Sequence, residues 1–222
     1  MSESDAPTDE ITRRLEGCYS GVVHDVMREM GLGDTTLPPS IRPVLPEKTL
    51  AGPVFTLSGR LDRTADPHRT LLEWTGFLGQ APPGHVVVCQ PNDDSIAHMG
   101  ELSAETLQKR GVLGYIVDGG CRDVNFILEI GFPVFCRYYT PRDVVGTWLP
   151  DGFDVPIQIG HLRVHPGDYV CGDRDGVCVI PGARVAEVVE AAEAAMNTEN
   201  LVRKAILDGM DPREAYLKYG KF

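Results

Sequence analysis

The chain has 222 residues, 42% of them hydrophobic and 24% charged, with a formal net charge of −11 at pH 7. That is enough apolar material for one sizeable packed core and excludes a disordered chain. The acidic balance, without any long Lys/Arg cluster, excludes a protein built to neutralise nucleic-acid phosphates. No apolar run approaches the ~20 residues needed to cross a bilayer. The start MSESDAPTDE lacks the basic and apolar regions of a secretory signal. The sequence therefore predicts a cytoplasmic protein with neither nucleic acid nor membrane as partner. An acidic surface repels anions at long range, so a site for a carboxylate substrate must carry its own local positive charge.

In chain order, residues 1–8 read as a flexible tail and 9–16 as the start of a short helix. Ser20 precedes GVVHDVMREM and Gly31 follows it, which predicts a helix with a serine cap and a glycine stop. Residues 32–48, rich in Pro and Gly, read as a connecting loop. Six short apolar runs follow, at 53–59, 85–90, 113–119, 133–139, 168–173 and 176–181. Their β-branched residues and Gly/Pro boundaries predict strands. Helices are predicted between them at 69–78, 101–110 and 123–130. Alternating strands and helices predict a layered α/β/α-type domain, and the closely spaced last strands add an antiparallel part, giving a mixed central sheet. From Ala183 the composition turns to Ala, Glu and Leu at helical spacing, with Gly209 as a stop and Asp211-Pro212 opening a last helix. The division predicted is a tail (1–8), an α/β domain (9–182) and a C-terminal helical extension (183–222) packing on the same domain or on a neighbouring subunit.

The six cysteines form no CxxC pair and mostly fall in strand-like runs, so buried free thiols are expected rather than a zinc site. Chemistry concentrates in GELSAETLQKRGVLGYIVDGGCRD, residues 100–123. It opens with Gly-Glu at a helix start, whose first backbone N–H groups have no intrahelical partners and seat a carboxylate. It ends on a loop after a strand, where α/β folds place ligands. There Arg122 offers a fork for a carboxylate or oxyanion, and Asp123 a hard ligand for a divalent cation. Taken by spacing alone, Arg-Asp on a loop is also an ordinary surface pair, and Gly-Glu an ordinary cap.

These residues carry a resemblance. GEL followed by GxxGxxVDGxxRD, with 20 residues between Glu101 and Arg122-Asp123, resembles the RraA-like family of the 4-hydroxy-4-methyl-2-oxoglutarate aldolase type. SGVVHDVMREMG, LAGPVFTL, GFPVFCR, HPGDYVCGDRDGVCVIP and the ending KYGKF resemble further family blocks. No glycine-rich strand–helix motif supports the methyltransferase label that such proteins have also carried.

The resemblance implies a swivelling-type mixed α/β fold and a metal-dependent pyruvate aldolase. Such an enzyme cleaves a 4-hydroxy-2-oxo acid such as 4-hydroxy-4-methyl-2-oxoglutarate to pyruvate, with oxaloacetate decarboxylation as a side activity. It implies Mg2+ or Mn2+ on Asp123, and Arg122 on the pyruvate part and its enolate oxygen. It also implies Gly100, Glu101, Leu102 and Ser103 around the carboxylate, and Glu101 acting through water as base. Glu199 would reach a neighbouring subunit's site in a homotrimer or homohexamer. Family aldolases often have Asp where this chain has the longer Glu101, which leaves the substrate or reaction open. One rival is a non-enzymatic regulator that binds a ribonuclease; another is a different metal-dependent oxo-acid lyase.

Other residues have plainer readings. His24-Asp25 reads as a solvated or capping pair, Asp118 as a turn residue, and Asp93-Asp94 as an acidic surface turn. Asp173, Arg174 and Asp175 read as a hairpin turn. His98 is weighed as a wall residue of the pocket, with ordinary packing favoured. Arg60, Arg63 and Arg69 are candidates for a distal substrate carboxylate, and nothing in the sequence selects among them.

Overall fold

The computed structural model describes residues 9–222; the predicted tail lies outside them. Two short helices, α1 (Glu10–Glu16) and α2 (Ser20–Glu29), lead into β1 (Arg42–Pro43) and the long β2 (Leu50–Leu61). Alternating elements follow: α3 (Pro67–Gln80), β3 (Val86–Gln90), α4 (Glu101–Lys109), β4 (Gly114–Val117), β5 (Gly120–Cys121), α5 (Val124–Ile130) and β6 (Val134–Cys136). Then come β7 (Tyr138–Tyr139), β8 (Trp148–Phe153), β9 (Ile157–Ile159), β10 (Leu162–Val164), β11 (Tyr169–Asp173) and β12 (Gly176–Ile180). A 3-10 turn (Gly182–Arg184) precedes α6 (Val185–Leu207) and α7 (Pro212–Tyr219).

The mixed sheet is present, in the order β1-β6-β4-β3-β2-β11-β12, with β8 also paired to β2. The central pairs β2–β3, β3–β4 and β4–β6 are parallel, and β11 joins β2 and β12 antiparallel. Period-2 alternation sorts the core. Val86, Val88, Ile116, Val170, Val177 and Val179 point to one face and form a cluster with Ile157, Ile159 and Val164 of the β9–β10 hairpin. On the opposite face Val87, Cys89, Tyr115 and Val117 meet Trp74, Phe77, Leu107 and Ile127 of α3, α4 and α5. Farther along that face Cys171, Cys178 and Ile180 meet α1, α2 and the first turns of α6. All six cysteines are free and buried, five on strands and Cys18 in the turn between α1 and α2.

Two local expectations need correction. Ser20 does not cap α2: Tyr19 holds the cap position without a side-chain bond. The Ser20 N–H and hydroxyl instead both donate to Asp173 at 2.7 Å, because the β11–β12 turn brings that carboxylate to the helix start. Asp93 is not a surface turn. Its side chain is 1% exposed and accepts from the Ser95 N–H, the Ser95 hydroxyl and the Ile96 N–H.

Strands β8, β9 and β10 have no counterpart among the predicted elements. The β8 sequence WLPDGF has the composition of a turn, yet it pairs with β2 across a bulge at Ser58/Gly59. There the Trp148 indole lies over Gly59, where a Cβ would fall 1.9 Å from the ring. Only a residue without a side chain admits that contact.

Candidate active site

Two loops build the site by running side by side. The His98 N–H donates to the Gly120 carbonyl and the Arg122 N–H to the Met99 carbonyl, both at 2.9 Å. This lays residues 97–99 alongside 120–122, so the start of α4 arrives next to Arg122 and Asp123. Gly100 holds the cap position of α4 with extended backbone (φ −153°) and no capping side chain. The glycine is required by space rather than by its own backbone angle. A Cβ would lie 2.6 Å from Asp123 Oδ2 and 3.1 Å from Arg122 Cγ.

Asp123 sits at the start of α5 in the left-handed region, φ 56°. That is a strained conformation for a residue with a side chain, although Asp tolerates it better than most. It turns the carboxylate back toward α4, where Oδ2 accepts from the Glu101 N–H at 3.1 Å. Arg122 lies between two carboxylates, with Nε 3.4 Å from Asp123 Oδ2 and Nη1 donating to Asp143 Oδ2 at 3.0 Å. The N–H groups of Leu102 and Ser103 have no acceptor among the described residues. With the helix dipole they offer two donors to an anion. Ser103 Oγ accepts from the Trp74 indole N–H at 2.9 Å, which ties α4 to α3.

Gly100, Glu101, Leu102, Ser103, Arg122 and Asp123 all line one cleft of about 570 Å³. The wall also includes Leu71, Trp74, Thr75 and Leu78 of α3, Thr106 of α4, and Val144 and Val145. His98 takes part in the wall too, fully buried, its ring edge-on to Trp148 at 5.2 Å between centroids. Burial lowers its pKa to about 4, against the opposing pull of Asp93, so the ring is neutral. Glu199 is not in this cleft. It lies on α6, accepts a hydrogen bond from the Tyr19 hydroxyl, and lines a separate groove with Val202, Arg203 and Phe222. Arg60, Arg63 and Arg69 are also absent from the cleft wall. Asp118, read as a turn residue, faces Arg137 at 3.5 Å.

Asp143, Val144 and Val145 were not singled out by sequence. They belong to the stretch between β7 and β8, whose composition carries no motif.

Hard oxygen donors dominate the polar end of the cleft: Glu101, Asp123 and Asp143. Among the described residues no three His, Cys, Asp or Glu side chains are grouped to hold a metal by themselves. A cation held here would have few protein carboxylates and fill its shell with water and substrate oxygens. That suits Mg2+ or Mn2+ and not a closed zinc site.

A family model described as RraA-like, Aldolase/RraA, matches residues 20–179. A Halalkalibacterium halodurans protein named "Putative 4-hydroxy-4-methyl-2-oxoglutarate aldolase" is 30% identical over 165 residues, 71% of this chain and 78% of that one. Protein DlpA of Legionella pneumophila is 26% identical over 99% of this chain, which spans only 35% of its length. Among solved structures, Streptomyces coelicolor RraAS2, described as an unusual member of the RNase ES inhibitor RraA protein family, superposes with a TM-score of 0.78. It is 26% identical, covering 89% of this chain and 98% of that one. Among the described residues no helix is long and apolar enough to cross a membrane.

Proposed function

The chain belongs to the RraA-like, Aldolase/RraA, family, and from that premise we propose that it is a divalent-metal-dependent lyase releasing pyruvate from a 4-hydroxy-2-oxo acid. The observation that carries the reading is the convergence of Glu101, Arg122 and Asp123 on one cleft beside unpaired helix N–H groups. A pure binding protein has no need of that set.

Asp123 would hold the cation, which when bound would polarise the 2-oxo group as a Lewis acid. The N–H groups of Leu102 and Ser103 bind the substrate carboxylate. Glu101, directly or through a water, takes the proton of the 4-hydroxyl. The C3–C4 bond then breaks: C4 leaves as an aldehyde or ketone, and the bonding pair passes to C3 and the 2-oxo oxygen as the pyruvate enolate. Arg122 stabilises the charge growing on that oxygen. Asp143 holds the guanidinium through Nη1, leaving the Nη2 N–H groups for substrate. The proton taken from the 4-hydroxyl, returned from Glu101 or its water to C3, completes pyruvate and restores the base. Oxaloacetate decarboxylation reaches the same enolate with CO2 as the other product, so it belongs to the proposal as a side activity. So does an assembly of three or six copies in which Glu199 approaches a neighbouring copy's cleft.

The likeness to RraAS2 favours a second reading, a regulator that binds a ribonuclease; the net charge of −11 suits a basic protein partner. One assay separates the two. Pyruvate release from a panel of 4-hydroxy-2-oxo acids and oxaloacetate is followed with Mg2+ or Mn2+, then with chelator, then with metal restored. Metal-reversible turnover is expected. No pyruvate from any member of the panel, with tight binding to a ribonuclease, would replace the enzyme by the regulator.

A further inference from the structure

We infer that the Ser103 hydroxyl is a third donor to the substrate carboxylate, and that Trp74 is a positioning residue that keeps its proton free for that bond. This rests on the aldolase reading above and concerns how the start of α4 grips the 2-oxo acid. A hydroxyl has one proton to give and two lone pairs to offer. Ser103 Oγ accepts from the Trp74 indole N–H at 2.9 Å. An indole N–H only donates, so the direction of that bond is fixed and the serine proton points elsewhere. It has no acceptor among the described residues. Every other serine or threonine on the described helices donates its proton within the chain. Thr75, Thr106 and Thr198 donate to the carbonyl four residues back, and Thr70 to the Pro67 carbonyl. Thr12 and Ser20 donate to the carboxylates of Asp9 and Asp173. For Ser103 the carbonyl four residues back is that of Met99, which accepts instead from the Arg122 N–H at 2.9 Å.

Position in the helix brings that proton to the right place. Ser103 lies in the first turn of α4, and a helical side chain leans toward the N-terminus of its own helix. Its Oγ therefore stands beside the Leu102 and Ser103 N–H groups that the helix start leaves without partners. Ser103 and Trp74 both line the cleft. The indole that orients the hydroxyl is itself held. Trp74 is 7% exposed, edge-on to Trp148 at 5.9 Å and tilted against Phe77 at 5.2 Å between centroids. Without the indole N–H, the serine is free to turn its proton onto the Met99 carbonyl, as helical hydroxyls do. The carboxylate does not react, so the contact is equal in the bound substrate and in the transition state. It therefore acts on KM and not on kcat.

The test uses the whole protein in its own assembly, with Mg2+ or Mn2+ present, oxaloacetate as substrate and pyruvate as competitive inhibitor. Ser103→Ala should raise the KM of oxaloacetate and the Ki of pyruvate together by about tenfold, with kcat held within about twofold. Trp74→Phe keeps a ring against Trp148 and Phe77 but removes the N–H, and should raise both constants by about threefold. In the Ser103→Ala background the same Trp74→Phe change should add nothing, whereas lost packing would act equally in both backgrounds. An equal effect in the two backgrounds, or a Ki unchanged by Ser103→Ala, overturns the inference and leaves the aldolase intact. Sedimentation of Ser103→Ala gives a further check. An altered assembly with an unchanged Ki assigns the serine proton to a neighbouring copy and likewise overturns the inference. No pyruvate from oxaloacetate or from any 4-hydroxy-2-oxo acid, with the unmodified protein, removes the aldolase reading and this inference with it.

Discussion

The Asp123 carboxylate accepts a hydrogen bond from the Glu101 N–H at 3.1 Å, so the group assigned to the cation also touches the helix start assigned to the substrate. To reach it, Asp123 adopts φ 56°, at a backbone cost of about 1 kcal/mol relative to glycine. Strain at a residue that contributes nothing to the core is retained for what its side chain does. Asp123→Gly should therefore leave the melting temperature unchanged or raise it, while Mn2+ affinity falls by at least about tenfold and pyruvate release is lost. Calorimetry and metal titration read the two effects separately. A variant that melts earlier yet still turns over would assign Asp123 a structural role.

Gly100 supplies a second, steric probe. Its φ of −153° suits any residue, so Gly100→Ala carries no backbone penalty. The new methyl would fall 2.6 Å from Asp123 Oδ2 and 3.1 Å from Arg122 Cγ, and both side chains can swing away. Stability should change by less than about 1 kcal/mol, while turnover drops because the two functional groups are displaced together. Combining it with Asp123→Gly should relieve most of the stability cost, since the nearest partner, Asp123 Oδ2, is gone and only the looser Arg122 contact at 3.1 Å remains. Unchanged kinetics in the single variant would mean that the present positions of Arg122 and Asp123 are not the working ones.

Arg122 can be removed without disturbing the fold. It is 37% exposed and its two carboxylate partners are similarly exposed, so the pairs are worth less than about 1 kcal/mol. Arg122→Ala should lower kcat by about 100- to 1000-fold, the usual scale for one oxyanion donor. Arg122→Lys should not restore it. A point charge cannot hold the Asp143 oxygen and present a second N–H in the same plane. The pyruvate-coupled assay measures both, and a fully active lysine variant would reduce Arg122 to general electrostatics.

Much of this arrangement was legible in the sequence, because strands and helices with strong periodicity announce themselves. The runs at 85–90 and 113–119 became β3 and β4 with boundaries moved by a residue or two. The Gly100 to Asp123 block was legible because its chemistry is local: a helix start, a strand and a loop contiguous in the chain. Asp143 was not, since its role comes from the tertiary approach of a motif-free loop to Arg122. Strand β8 was hidden by Pro150, Asp151 and Gly152, residues that favour turns and are overridden here by the Trp148–Gly59 contact. Asp93 was misread because two adjacent aspartates look solvated, whereas its three local hydrogen bonds are what allow it to be buried.

His98 gives the protein an acid sensitivity that can be dissected. The ring is fully buried, and neither nitrogen has a hydrogen-bond partner among the described residues; Asp93 Oδ2 lies 3.7 Å from Nε2. Burial lowers its pKa from 6.5 to about 4. The unfolded chain therefore binds a proton here before the folded one does. The neutral ring's contribution is fully present above pH 6.5 and is lost as pH falls from 6.5 toward 4, up to about 3 kcal/mol. Asp93 acts below that window. Burial raises its pKa, but the hydrogen bonds from Ser95 and Ile96 and the nearby His98 outweigh this and hold it under 3.8. His98→Leu removes the titrating group and two unsatisfied nitrogens at similar volume, so at pH 7.5 it should be near wild type or more stable. By pH 4.5 the variant should be ahead by roughly 2 to 3 kcal/mol more than at pH 7.5. Urea denaturation at the two pH values measures the difference. Parallel losses in both proteins would show that His98 is not held neutral in the folded state.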